Sequence, residues 1–218
     1  MGIHNFSDVA EVAALEAVIG RRRDVRAEFS GEKIPRADLM RILEAGHRAP
    51  SVGHSQPWDF IIVDEPHDLE TFAAHVGECR EEFARALGEE RRQAFNPIKI
   101  EGIRESGTGV VVTYSPERGG PVVLGRHTLD VMGEMSVACA IENMWLMATA
   151  MGYGMGWVSF FEEEYLREFI GAPEDTRVLA WLCVGPVKEL QSVPDLVRFG
   201  WEKGRSIESA VHWGRYSQ

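Results

Sequence analysis

Long hydrophobic runs are missing from this sequence. The most apolar stretch, Ser136 to Met151, is interrupted by Glu142 and Asn143 and falls short of the roughly 20 residues a bilayer span requires. Positive charge is scarce as well: 23 Lys and Arg stand against 34 Asp and Glu, a net charge of −11. Nonspecific binding to nucleic acid or to anionic membranes needs a basic face that releases counterions, so both are excluded as partners. Cysteine is rare and unpaired. Cys79, Cys139 and Cys183 show no paired spacing and read as buried small hydrophobes of a reducing compartment, which places the protein in the cytoplasm. Met1 to Asp8 lacks a basic stretch followed by an apolar run, so it does not read as a signal peptide. The seven histidines are scattered without HExxH or Cys/His ligand spacing, which argues against a metal site. A GxSxG elbow and a Walker P-loop are also absent.

The chain is 44% hydrophobic and 26% charged over 218 residues, the composition of an ordinary globular domain. One domain of this length buries roughly 70% of its unfolded surface. No repeat or Ser/Gly/Pro-rich linker divides it, so residues 1–218 read as a single domain with a polar C-terminal arm over about 186–218 carrying Trp201, Trp213 and Tyr216. Apolar spacing predicts a helix over Asp8 to Gly20, capped by Ser7, and a second opened by Pro35 with Leu39, Ile42, Leu43 and Gly46 on one face. Leu69 to Leu87 reads as an amphipathic helix through Phe72, Val76, Cys79 and Phe83. Met132 to Met151 reads as a helix apolar nearly all round, buried on most faces in the core or at a dimer interface. Strands are expected at 59–63, 109–114, 156–160 and 178–184. Strands separated by helices, with few hairpin signals, predict an α/β or α+β sandwich.

Three segments could carry chemistry. Arg21-Arg22-Arg23-Asp24-Val25-Arg26 concentrates four guanidiniums in an acidic chain, and their planar forks suit phosphate. A solvated basic turn balancing nearby glutamates explains the same residues. Neighbouring positive charge should hold Asp24 ionised, as a general base beside a ligand or as one half of an internal salt bridge. The segment Arg48 to Trp58 joins a helix to a strand, stiffened by Pro50 and Pro57 and polar at Ser51, His54 and Gln56. It is a ligand-approach loop or a plain connector. In Met151 to Ser159 a helix ends, glycines turn the chain and a strand begins. That is the reverse of a dinucleotide fingerprint and is equally a helix C-cap with a turn.

Together these segments resemble the nitroreductase-like flavoproteins, and within them the branch of dimethylbenzimidazole synthases, or flavin destructases. The likeness rests on Arg22-Arg23-Asp24-Val25-Arg26, on Ala49 to Gly53 with Gln56-Pro57-Trp58, and on Lys99 to Arg104. It continues through Arg118-Gly119-Gly120, Val122 to Arg126, Gly156-Trp157-Val158-Ser159 and Ala180 to Cys183. The aspartate in the arginine motif distinguishes the branch from general nitroreductases, which usually carry serine there.

The resemblance implies an α+β fold with a central mixed or antiparallel sheet flanked by helices. It also implies a domain-swapped homodimer with FMN at the subunit interface. Arg22, Arg23 and Arg26 would hold the FMN phosphate and ribityl chain together with Val25, with Arg205 a weaker phosphate candidate. Pro50 and Ser51 would line the flavin, while Ser159 and the backbone around Trp157 face its ring. A lid over Arg91 to Arg104 would close with Ile100 in contact. The implied reaction takes reduced FMN as substrate and O2 as co-substrate, releasing 5,6-dimethylbenzimidazole and erythrose 4-phosphate, with Asp24 as base and Ser159 positioning the reacting part of the ring. NAD(P)H would enter only through a separate flavin reductase. The alternatives are an FMN-dependent NAD(P)H nitroreductase and a flavin carrier without turnover.

Overall fold

The structure, a computed structural model, describes residues 8–216. The first helix, α1 (Val9–Arg21), is capped by Asp8, whose carboxylate accepts the Ala10 N–H at 2.8 Å; Ser7, the cap expected from sequence, lies outside the described residues. Its apolar stripe of Val9, Val12, Leu15 and Ile19 is 50–82% exposed. Helix α2 (Arg36–His47) begins just after Pro35 and buries Leu39, Ile42, Leu43 and Gly46, the face that its periodicity predicts.

A short strand, β1 (Trp58–Val63), leads into α3 (Pro66–Ala86), with α4 (Glu89–Phe95) and α5 (Ile103–Ser106) before β2 (Gly109–Tyr114). Then come α6 (Met132–Ala150), β3 (Tyr153–Val158), α7 (Glu163–Phe169), β4 (Arg177–Pro186) and the single turn α8 (Asp195–Arg198). The sheet order is β1-β2-β4-β3, with every neighbouring pair antiparallel. Beyond β3, Asp24 makes an isolated parallel bridge to Met155. One face of the sheet packs with α2 and α6 around Ile42, Ile141, Met144 and Leu182. The other packs with α3, α5 and α7 around Phe72, Ile103, Leu166 and Trp181, where Phe72 and Trp181 stack with ring centroids 4.0 Å apart.

Three expectations from sequence need correction. Helix α6 buries one side within this chain, through Val137, Ala140, Ile141 and Met144, and leaves Met135 and Cys139 exposed, so only the dimer-interface form of the expectation stays open. Only Cys183 among the thiols is buried, Cys79 being partly covered and Cys139 open; burial pushes the Cys183 thiol up to about 11. Third, Gly152 alone makes the turn after α6, at φ +84°, whereas Gly154 and Gly156 lie inside β3. Among the described residues no helix is long and apolar enough to cross a membrane.

Candidate active site

The glycines of β3 make room for the arginine motif. A Cβ on Gly156 would stand 2.1 Å from the Val25 carbonyl oxygen and 2.1 Å from an Arg26 Nη. This close approach lets Val25 donate its N–H to the Met155 carbonyl at 3.0 Å and fixes residues 24–26 along the sheet edge. Asp24 is thereby locked. Arg26 grips its two carboxylate oxygens with two bonds of 2.7 Å each, and the Trp157 N–H donates to Oδ1 at 3.0 Å. Arg26 is itself buried and also donates to the Trp157 carbonyl at 2.5 Å and the Val25 carbonyl at 3.2 Å. Its donors are spent on the protein rather than on the cavity.

Beside this constellation lies a cavity of about 280 Å³. Arg23, Asp24, Val25, Arg26, Ile100, Trp157 and Ser159 line it, so these sequence candidates converge on one place. Sequence reasoning missed other parts of the wall: Glu28, Phe160, and Leu190 to Leu196 of the C-terminal segment, which folds back over the opening. A polar tail carries no periodicity that would announce such a contact. Arg22, Pro50, Ser51 and Arg205 are not brought to the cavity within this chain. Arg22 lies over the Trp145 ring at 5.1 Å, with Glu142 3.9 Å away. Pro50 is exposed, Ser51 accepts the Gln56 N–H at 3.0 Å, and Arg205 turns back onto Ser209. The loop after Ser51 holds left-handed backbone at Gly53, His54 and Gln56, with φ of +56°, +52° and +44°. Such strain in non-glycine residues accumulates near functional sites.

The electrostatics of Asp24 correct the expectation from sequence. Desolvation by the enclosing protein is the largest influence and raises the carboxyl above its ordinary value. Arg26, the Trp157 amide and Arg22 all pull the other way without cancelling it. The side chain keeps 49% of its surface accessible and lines the cavity, so a ligand can reach the carboxylate. Raised carboxyls in clefts are the groups suited to proton transfer near neutral pH.

The residues present fit a flavin phosphate. Arg23 lines the cavity, binds the Gly20, Arg22 and Ser192 carbonyls at 2.9, 2.6 and 2.6 Å, and keeps a buried Nε with no partner. An orphaned cationic donor beside a cavity suits an anionic oxygen. Val25, Ile98, Ile100, Phe160 and Leu196 offer apolar surface to a planar ring. The volume sits just below the usual range for ligand pockets, roughly 300–1,000 Å³.

Several known proteins are similar to this chain. The model of the nitroreductase family matches residues 19–186. The 5,6-dimethylbenzimidazole synthase of Rhodospirillum rubrum is 35% identical over 192 residues, covering 88% of this chain and 90% of that protein. A synthase of the same name from Rhodobacter capsulatus is 32% identical over 195 residues, covering 89% and 94%. An iodotyrosine deiodinase structure bound to FMN and 3-iodo-L-tyrosine superposes with a TM-score of 0.74 at 18% identity, covering 93% of this chain and all of that one; it shows a shared fold. On the extent of the family match and of these relatives, the chain belongs to the nitroreductase family.

Proposed function

We propose that this protein fragments reduced FMN with O2, releasing 5,6-dimethylbenzimidazole, erythrose 4-phosphate and the oxidised pyrimidine remainder of the ring. The observation that carries this reading is the Asp24 carboxylate. It is fixed by Arg26 and the Trp157 amide at the edge of a cavity that Ser159 shares. Relatives bearing the synthase name align over about nine-tenths of the chain. Reduced FMN supplies the electrons that dioxygen accepts.

The chain's own residues orient and shield. Arg23 would hold the phosphate through its unpartnered Nε, with Arg22 and Arg205 completing the anion site from outside this cavity. Val25, Ile100 and the backbone at Trp157 would bound the ring, and closure of the 91–104 lid would exclude water. Asp24 would move protons as the ring breaks down, and Ser159 would hydrogen-bond beside the reacting atoms. Pro50 and Ser51 would reach the flavin from a second copy of the chain. This homodimer is supported by the exposed apolar stripe of α1 and by exposed Met135 on α6. A separate cytoplasmic flavin reductase would spend NAD(P)H to supply the substrate.

Asp24→Asn tests the assignment. It is expected to bind FMN like the wild type and to lose about 10²- to 10⁴-fold in product formation, the usual contribution of a positioned base. Wild-type product formation by the variant would end the role. Flavin that reoxidises in air and survives, with turnover of nitroaromatics on NAD(P)H, would instead mark an ordinary reductase. Survival without any turnover would mark a carrier.

A further inference from the structure

Ser159 sits just past the end of β3, in a four-residue connection to α7, and the three residues after it all lean on other elements. Phe160 meets Phe83 of α3 and Phe95 of α4, with centroids at 5.4 and 6.2 Å. Phe161 meets Phe72 of α3 at 6.0 Å. Glu162, which precedes the first turn of α7, donates its backbone N–H to Nε2 of His75 at 3.4 Å. His75 is thus the polar anchor that α3 offers this connection. It is buried at 8% exposure, and its ring stacks on Tyr165 of α7 at 3.6 Å and 8°. The Cys79 sulfur lies 3.7 Å from the same Nε2.

Building on the proposed function, we infer that His75 is a positioning residue for the reaction, holding the 159–162 connection so that Ser159 faces the cavity. An amide N–H can only donate, so Nε2 must present its lone pair and the ring proton must sit on Nδ1. The Glu162 amide meets His75 Nε2 and, beside it, the Cys79 sulfur; the ring nitrogen is the stronger acceptor of the two, and its loss would weaken the hold on the connection. The alternative of a nucleophilic Cys79–His75 pair fails, because burial, followed by the nearby Glu162 and Glu82 carboxylates, raises the Cys79 thiol and disfavours the thiolate. The His75–Tyr165 stack also ties α3 to α7, so both ends of the anchor are rigid.

His75→Asn places its polar group near the Nδ1 position, out of reach of Glu162, whereas His75→Gln restores an acceptor near Nε2. Hydrogen exchange over residues 159–163 is expected to accelerate in His75→Asn and to return toward wild type in His75→Gln. Product formation from reduced FMN is expected to fall roughly 10- to 100-fold in His75→Asn, the scale of a small misplacement of a reacting group, with recovery in His75→Gln. Combined with Ser159→Ala, His75→Asn should add little further loss, since coupled residues fail to add. Unchanged exchange in a folded His75→Asn, or equal losses with and without Ser159, would overturn the inference. Should His75→Asn fail to fold, His75→Gln decides: accelerated exchange in that folded variant also overturns it. A wild type that yields no dimethylbenzimidazole would refute the proposed function instead. The exchange measurement, with the same double cycle read in FMN affinity, would still decide the part His75 plays.

Discussion

Asp24 is pulled in two directions by its surroundings, and the balance has a consequence for pH. Enclosure raises its carboxyl, and Arg26, the Trp157 amide and Arg22 lower it by less. A base acts only when ionised, so product formation should rise with pH, and the rise should be displaced upward from the ordinary aspartate position. Arg26→Gln removes the largest downward pull, so the rise should move to still higher pH while the Arg23 anchor for phosphate remains. A pH–rate profile checks both; a limb at the usual carboxylate position, unmoved by the substitution, would contradict them. The arginine cluster shows what sequence could and could not reveal here. The grouping of Arg23, Asp24 and Arg26 at one site was legible from their spacing alone. Their division of labour was not, because it depends on Trp157 and Ser192, distant in sequence, supplying the bonds.

Between β3 and the arginine motif, the limiting dimension is the space above Gly156. Gly156→Ala would drive a methyl into the Val25 carbonyl and the Arg26 guanidinium, neither free to retreat. The expected cost is about 1–3 kcal/mol, the scale of overpacking, together with a loss of FMN affinity, read by denaturant unfolding and flavin titration. Gly152→Ala has open space but a φ of +84°, so it should lose stability while leaving FMN affinity intact. Equal effects of the two on affinity would argue against the bridge at 24–26 as the organiser of the site. Element by element, α2 was readable because a single periodic face meets a single core, and β2 because an unbroken β-branched run is buried on both sides. The β3 boundary was not, since Gly154 and Gly156 resemble turn residues until the chain packed against them is known. The short α4, α5 and α7 carry too few turns for periodicity to register.

Among the described residues an apolar stripe on α1 stays half or more exposed, and the cavity is near the lower limit for ligand sites. A second copy would answer both, covering the stripe and bringing Pro50 and Ser51 to the flavin. Sedimentation should then give about twice the 24.4 kDa of one chain. Leu15→Glu with Ile19→Glu should produce monomers that bind FMN weakly; a monomeric wild type with full FMN affinity would refute that arrangement. Net charge and the lack of long apolar runs were informative at this scale, but the fold of residues 190–196 over the cavity was not, because polar segments gain order only from what they touch. The most direct test of the account is chromatography of the mixture left when the protein meets chemically reduced FMN in air. The account predicts dimethylbenzimidazole in proportion to the flavin irreversibly lost, and none when air is excluded. Complete recovery of intact FMN from the aerobic mixture would contradict it.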